Sequence, residues 1–387
     1  MRAYEVCRFL AESIGPRWIG SEGEARAGDW IEAEFRRLGL ETRRLWFDCP
    51  AWDYRSTRLT VDGAAVNAGA QMFSPACDVE AQLVRIEPDG RGGFAGSVEG
   101  KIALTLEQGT GGVLGRSKLL ANLKASGALA AAAVSVLSET WSTKMFRDPR
   151  SDLAVAGVSA RDGAGLLAKS GARARLVIDA RPRPGRTSDV IGEIGPADAP
   201  VILVGAHYDA APYSPGAVDN ASGAAVMLDL AARFARARLA RRMRFCAFGG
   251  HEFGGDDGKA FGSKSYVQTR PGELKRIELM FNLDSTALKG ASPRLGVTGR
   301  AAFFERVRAL ARGSRDVTVE EGPPDGSDHG VFVEAGIDAV WLHAGDASGF
   351  QAQAYHSPLD DLRWVGETEI ARAADVAFEM LTGLSLE

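Results

Sequence analysis

VILVGAHYD, residues 201–209, decides the fold. Val201 to Ala206 form an apolar run with no polar interruption, which a strand of this length shows only when both of its faces are covered. RMRFCAFGG at 242–250, ELMFNLD at 278–284 and DAVWLHAG at 338–345 share that texture. Between some of them lie the helical segments ASGAAVMLDLAARFARA (221–237) and AAFFERVRALAR (301–312). Continuous hydrophobic strands alternating with helices predict an α/β fold with a mostly parallel sheet sandwiched by helices.

Outward from that core, Val6, Phe9, Leu10 and Ile14 have helical spacing, as do Ala27, Ile31, Phe35 and Leu38, the second set stopped by Gly39. Two amphipathic helices therefore open the chain. From about residue 45 the texture changes to short strand-like runs, RLTVDG and AQLVRIE, followed by a helix-like KLLANLKASG and the apolar ALAAAAVSVL. RPRPGRT at 181–187 reads as a linker, because two prolines and a glycine interrupt a helix or a central strand. The expected organisation is an opening helical pair over 1–44, a β-rich insertion over 45–185 and the α/β unit over 186–387.

The chain has 387 residues, 45% of them apolar, and a formal charge of −4. Such a balance offers no cationic field for nucleic acid or an anionic membrane. No stretch has the length of a membrane span, and MRAYEVCRFLAESIG lacks the apolar heart of a signal peptide, so a cytoplasmic location is expected. Cys7, Cys49, Cys77 and Cys246 form no CxxC pair and are expected to be free, with a Cys49–Cys77 bridge as the alternative.

Each apolar run delivers metal-binding residue types at or just beyond its end: His207 and Asp209, His251 and Glu252, Asp284, then Tyr355 and His356 in the loop after the last. In open α/β sheets ligands bind beyond the carboxyl ends of the strands, so these groups converge on one edge. His207 and Asp209 are two apart and share a face of an extended segment, which lets Asp209 take the second ring N–H of His207. A plain surface turn is the other reading of that pair. Asp219 opens a helix, where it can equally be a cap. Taken together, histidines and carboxylates in this arrangement suit a pair of zinc ions.

GAHYDA, VDNASG, HEF with GSKSYV, FNLD, GSDHGVF and AYHSPLDD, in this order, resemble the successive motifs of the co-catalytic zinc exopeptidases, a family that includes leucyl aminopeptidases, aminopeptidase Y and glutamate carboxypeptidases. ESIGPRWIGSEGEARAGDWIEAEFRRLGL is similar to the family's opening helices. VEGKIALTLEQG, KLLANLKASGALAAAAVS and VAGVSARDGAGLLAKSG resemble its inserted protease-associated domain. The resemblance implies Asp219 as a carboxylate bridging two zinc ions, His207 and Asp284 on one ion, Glu252 and His356 on the other, and a cis peptide between Asp219 and Asn220. It implies Tyr355 as an oxyanion donor and places Asp328 and His329 behind the ligands. A glutamate base precedes the ligand glutamate in the family, and here that position is His251. The loop after Glu252 is longer than the family's, so Asp256 and Asp257 are expected over the substrate pocket, with a polar turn in solvent as the other reading, and Phe350 of DASGFQAQAY is expected to line that pocket. Gly326 stands where some members carry arginine. The function implied is a zinc-dependent aminopeptidase-type hydrolase acting on a peptide or small amide. The alternatives are single-zinc cyclase or acyl-transfer chemistry and a non-catalytic binding protein.

Overall fold

The computed structural model describes residues 2–254, 260–314, 316–346 and 348–385. Both opening helices are present. Helix α1, Ala3–Arg8, runs on into a wider turn at Phe9–Ile14. Helix α2, Glu22–Arg37, is capped by Ser21, whose side chain accepts the Glu24 N–H, and it buries Ala27, Ile31 and Phe35.

The sheet is built on two long antiparallel strands, β1 (Glu41–Val61) and β2 (Arg173–Ile194). The α/β half adds β3 (Val201–His207), β4 (Arg242–Phe248), β5 (Ile277–Leu283), β6 (Pro293–Thr298), β7 (Thr318–Glu321) and β8 (Asp338–Ala344), in the order β7-β6-β8-β5-β3-β4-β2. The central pairs β4–β3, β3–β5 and β5–β8 are parallel, as the unbroken apolar runs predict. Alternate residues of β3 enter two different cores. Ile202, Val204 and Ala206 pack with Phe245 and Phe281 under α3 (Gly223–Phe234), while Val201 and Leu203 pack with Phe248 and Met280 beside α4 (Phe261–Thr269). Burial of each such Val, Leu or Ile contributes about 1.5–3 kcal/mol. The closing helix α5, Glu367–Ser385, covers the first of these faces through Ile370, Ala373 and Leu381.

Strands Cys77–Arg85, Ile102–Leu106, Ala130–Val134 and Val155–Val158 continue the sheet from the other end of β2. They have cores of their own, Leu59, Leu104, Ala132 and Leu176 on one side and Ala103, Leu119, Ala131 and Val155 on the other. β1 and β2 run unbroken through residues 45 and 185.

The expected linker at 181–187 is not one. RPRPGRT lies inside β2, with Pro182 opposite Trp52 and Pro184 opposite Pro50. Two prolines two residues apart withhold N–H groups on the same edge, and over 179–189 only β1 pairs with β2 among the described residues. The missing donors therefore cost no ladder bond. All four cysteines are unpaired. Among the described residues no helix is long and apolar enough to cross a membrane.

Candidate metal centre

β3 stops at His207, at the end of the sheet where β4 delivers Gly249 and Gly250. Gly250 has φ +69°, and a Cβ there would lie 2.6 Å from Ile19 Cδ1, so a side chain at this turn would be strained. The turn is pinned by Glu24, which accepts the Gly250 N–H at 3.0 Å and the Thr187 hydroxyl at 2.7 Å. Beyond it the N–H groups of His251 and Glu252 donate to Asp209 at 3.0 and 2.9 Å. His207 Nδ1 lies 3.3 Å from Asp209 Oδ1, as the shared face predicts. One carboxylate thus positions groups from two strands.

Asp219 sits where Asp360 accepts the N–H groups of Val218 at 2.8 Å and Asp219 at 3.0 Å. The Asp219–Asn220 peptide is cis. Asn220 ties this loop to the end of β5, donating to the Leu283 carbonyl at 2.9 Å and accepting from Ser285 N at 3.1 Å. Asp284 is held by the Ser327 hydroxyl at 2.6 Å, which itself accepts from Asn282 at 2.8 Å. The His356 carbonyl accepts from the backbone of Thr143 at 2.9 Å, across from the other lobe.

These supports bring the predicted ligands together around Asp219. Its Oδ1 lies 3.1 Å from His207 Nε2 and its Oδ2 3.1 Å from His356 Nε2. Asp284 Oδ1 is 3.5 Å from His207 Nε2, and Glu252 Oε2 is 3.5 Å from His356 Nε2. Two half-sites share one carboxylate. Donor atoms of His207, Asp219 and Glu252 all fall within 4.8 Å of one another, as do those of His207, His251 and Asp284.

The donor set fits divalent cations. His207 Nε2 and Glu252 Oε1 are buried with no hydrogen-bond partner, although carboxylate oxygens crowd the imidazole nitrogen. Buried polar atoms are otherwise satisfied as a rule. Asp209, Asp219, Glu252, Asp284 and Asp328 are all buried, an accumulation of negative charge that calls for cations. Burial disfavours the charge on His207, yet Asp209, Asp219 and Asp284 outweigh it and hold its pKa well above the ordinary value. Burial likewise works against Asp219, but His207 and His356 hold it well below the usual carboxylate range.

His251 is stacked on His207, ring centroids 3.9 Å apart, and its Nδ1 lies 3.2 Å from Asp328 Oδ2. Tyr355 stacks on His356 at 3.6 Å and lines the cleft over the centre. Burial, with Asp219 and Asp284 nearby, pushes its phenol pKa well up, so the hydroxyl keeps its proton at neutral pH. His329 stacks on Trp341 and its Nε2 bonds the Pro323 carbonyl at 3.1 Å. Phe350, 2% exposed, packs edge-on against Tyr355 and Trp364, so it backs Tyr355 from the core and does not line the cleft. Asp256 and Asp257 lie outside the described residues. Sequence reasoning missed the Asn282–Ser327 support of Asp284 and the role of Asp360, though AYHSPLDD contains the latter. It also missed Lys144, whose ammonium ion-pairs with Glu252. No motif surrounds Lys144.

Residues 189–381 match the model of peptidase family M28. The chain is 30% identical to aminopeptidase YwaD of Bacillus subtilis, over 97% of this chain and 82% of that protein. It is 25% identical to leucine aminopeptidase 2 of Trichophyton rubrum, over 85% of this chain and 68% of the relative. Among solved structures, BSAP, a zinc aminopeptidase from Bacillus subtilis, superposes with a TM-score of 0.80 at 26% identity, covering 100% of this chain and 95% of that one. An aminopeptidase from Aneurinibacillus sp. strain AM-1 gives 0.74 at 25% identity over 98% and 92%. With its expected motifs gathered at one sheet edge and these relatives spanning nearly its whole length, the chain belongs to peptidase family M28, the co-catalytic zinc exopeptidases, and is a metallo-exopeptidase that takes two divalent ions.

Proposed function

We propose that the protein is an aminopeptidase-type hydrolase that cleaves an amide bond in a short peptide or small amide, and that His207, Asp219, Glu252, Asp284 and His356 are the residues that would hold its two ions. The observation that carries this reading is the pair of Asp219 oxygens, each facing its own histidine at 3.1 Å. His207 and Asp284 complete one half-site, and His356 and Glu252 the other. Two divalent ions bound there supply Lewis-acid activation of water and of the scissile carbonyl. The chain's own groups do the rest. His251 takes the proton from the attacking water. With Nδ1 turned to Asp328, its other ring nitrogen is left as the acceptor. The Asp328 carboxylate also offsets the charge of the imidazolium that forms, which the neighbouring cations oppose. Tyr355, protonated and on the cleft wall, donates to the oxygen that gains charge. The lobe of residues 45–185 contains no histidine and serves as a wall of the cleft, through Lys144 and Arg147, without supplying an ion ligand.

A second reading makes His251 a ligand and leaves the base role empty, because its donor atom groups with those of His207 and Asp284. Elemental analysis of purified wild type and Asp219→Ala, alongside hydrolysis of aminoacyl amides and dipeptides, tests the assignment. Two equivalents of zinc in wild type and loss of the pair in Asp219→Ala are expected. Two retained equivalents in the variant would remove Asp219 from its bridging position. Full loss of one equivalent in His251→Ala would favour the second reading.

A further inference from the structure

The cleft beside the centre has a volume of about 360 Å³, and Lys144, Arg147, Asp325 and Glu334 are among the residues that line it. Both cations come from the segment between strands Ala130–Val134 and Val155–Val158, in the lobe that supplies no expected ion ligand. Lys144 is buried, and its ammonium pairs with Glu252, so its counterion is a carboxylate that an ion at the second half-site must share. An ammonium has three donors, and one partner leaves two of them to be used. Arg147 is placed just beyond. It donates through Nε to the Phe253 carbonyl and through Nη1 to the Lys144 carbonyl at 3.1 Å. Among the described residues no carboxylate forms an ion pair with it, and burial pulls its pKa down. Its Nη2 passes over Gly254, where a Cβ would stand only 2.7 Å away. A glycine with φ +67° therefore leaves room for the guanidinium at the cleft. Among the described residues this half-buried guanidinium is met only by carbonyls, and an anion at the cleft would complete it.

The geometry points to a carboxylate-binding subsite made by Lys144 and Arg147, which holds a carboxylate of the substrate within about one residue of the scissile bond; it rests on the hydrolase reading above. The planar guanidinium fork matches a carboxylate in shape, and the ammonium adds a second charge next to the ions. The volume is at the small end for ligand sites and suits a substrate of dipeptide size. Two sources present this chemistry, the free C-terminus of a dipeptide or the side chain of an acidic residue in a longer or amidated substrate.

Zinc-loaded full-length protein is given L-leucyl-glycine, L-leucyl-glycinamide and L-leucyl-L-aspartic acid α-amide, with kcat and KM measured for each and binding of each followed by calorimetry. Charged hydrogen bonds of this kind correspond to roughly 10- to 100-fold, so one or both carboxylate-bearing compounds should exceed the glycinamide by that factor in kcat/KM, mainly through KM. The preference should shrink to within about threefold in Arg147→Ala and in Lys144→Met, as the anion loses its charged donors. Preference for leucyl-glycine alone assigns the site to the free C-terminus, and preference for the aspartyl amide alone to the side chain. Because each ratio is taken within one protein, partial misfolding of a variant cancels. A wild-type ratio near one, or a ratio that neither substitution changes, overturns the subsite. If none of the three is hydrolysed, it is the hydrolase reading that falls, and the calorimetric preference for carboxylates decides the subsite separately.

Discussion

Replacing Asp209 by Asn keeps shape and removes charge at the residue that joins β3 to the turn after β4. The carboxylate accepts the His251 N–H at 3.0 Å on Oδ1, with His207 Nδ1 at 3.3 Å on the same oxygen, and the Glu252 N–H at 2.9 Å on Oδ2. Asn offers one oxygen and one NH₂. Whichever way it lies, a donor meets a donor. One buried backbone N–H then goes without an acceptor, which costs about 1–3 kcal/mol. The bond that survives loses its charge assistance, roughly another 1 kcal/mol. The sum, about 2–4 kcal/mol, should appear as a lower thermal midpoint of the metal-free protein. Independently, His207 loses the group that fixes its ring, and outer-shell partners of this kind are worth roughly 10- to 100-fold in ion affinity. Competition with a chromophoric zinc chelator measures that affinity, and melting of the metal-free and zinc-loaded proteins separates the two effects. A metal-free midpoint equal to wild type, together with unaltered zinc affinity, would refute the role assigned to Asp209.

His251→Glu changes the base from an imidazole to a carboxylate, so the acid limb of the kcat/KM profile should move to lower pH by about two units, the gap between their unperturbed pKa values. An acid limb that stays in place assigns the proton to another group. Glu193, under burial that would raise its pKa, is held below the ordinary value by Arg244 and Arg242, with Arg244 Nε at 2.7 Å and Arg242 Nε at 3.2 Å. A depressed carboxylate contributes stability that is present above its unfolded pKa and fades as pH falls through the folded one. Wild type should therefore lose more stability than Glu193→Gln on going below about pH 4.5, while at pH 7 the variant should be less stable by roughly 2–4 kcal/mol, reflecting buried guanidinium groups left short of a partner. Thermal melts across that range check both signs.

The candidate site was legible in the sequence to the extent that its groups sit at strand ends. His207 and Asp209, His251 and Glu252, and Asp284 each follow an apolar run within the same few residues, and local periodicity is enough to place them on one edge. The misplaced expectations have long-range causes. RPRPGRT breaks every local rule for a strand, yet it is one, because β1 offers a partner 130 residues away and its other edge asks for no donors. Phe350 looked like a pocket residue from its loop, and Trp364 draws it into the core. Lys144 reaches Glu252 across 108 residues, with no pattern around it to show where its segment returns.

By itself the sequence determined which strands would be buried on both faces and what chemistry would stand at their ends, since both follow from the order of apolar and polar residues along a few turns of chain. Only the tertiary structure decided that Asp209 and Asp360 pin the loops which hold the expected ligands, and that two cations of the other lobe overlook the centre. The physical reason is that a hydrogen bond or ion pair depends on positions good to a few tenths of an ångström between segments far apart in the chain. Those positions are set by the packing of every side chain between them, which no local window contains.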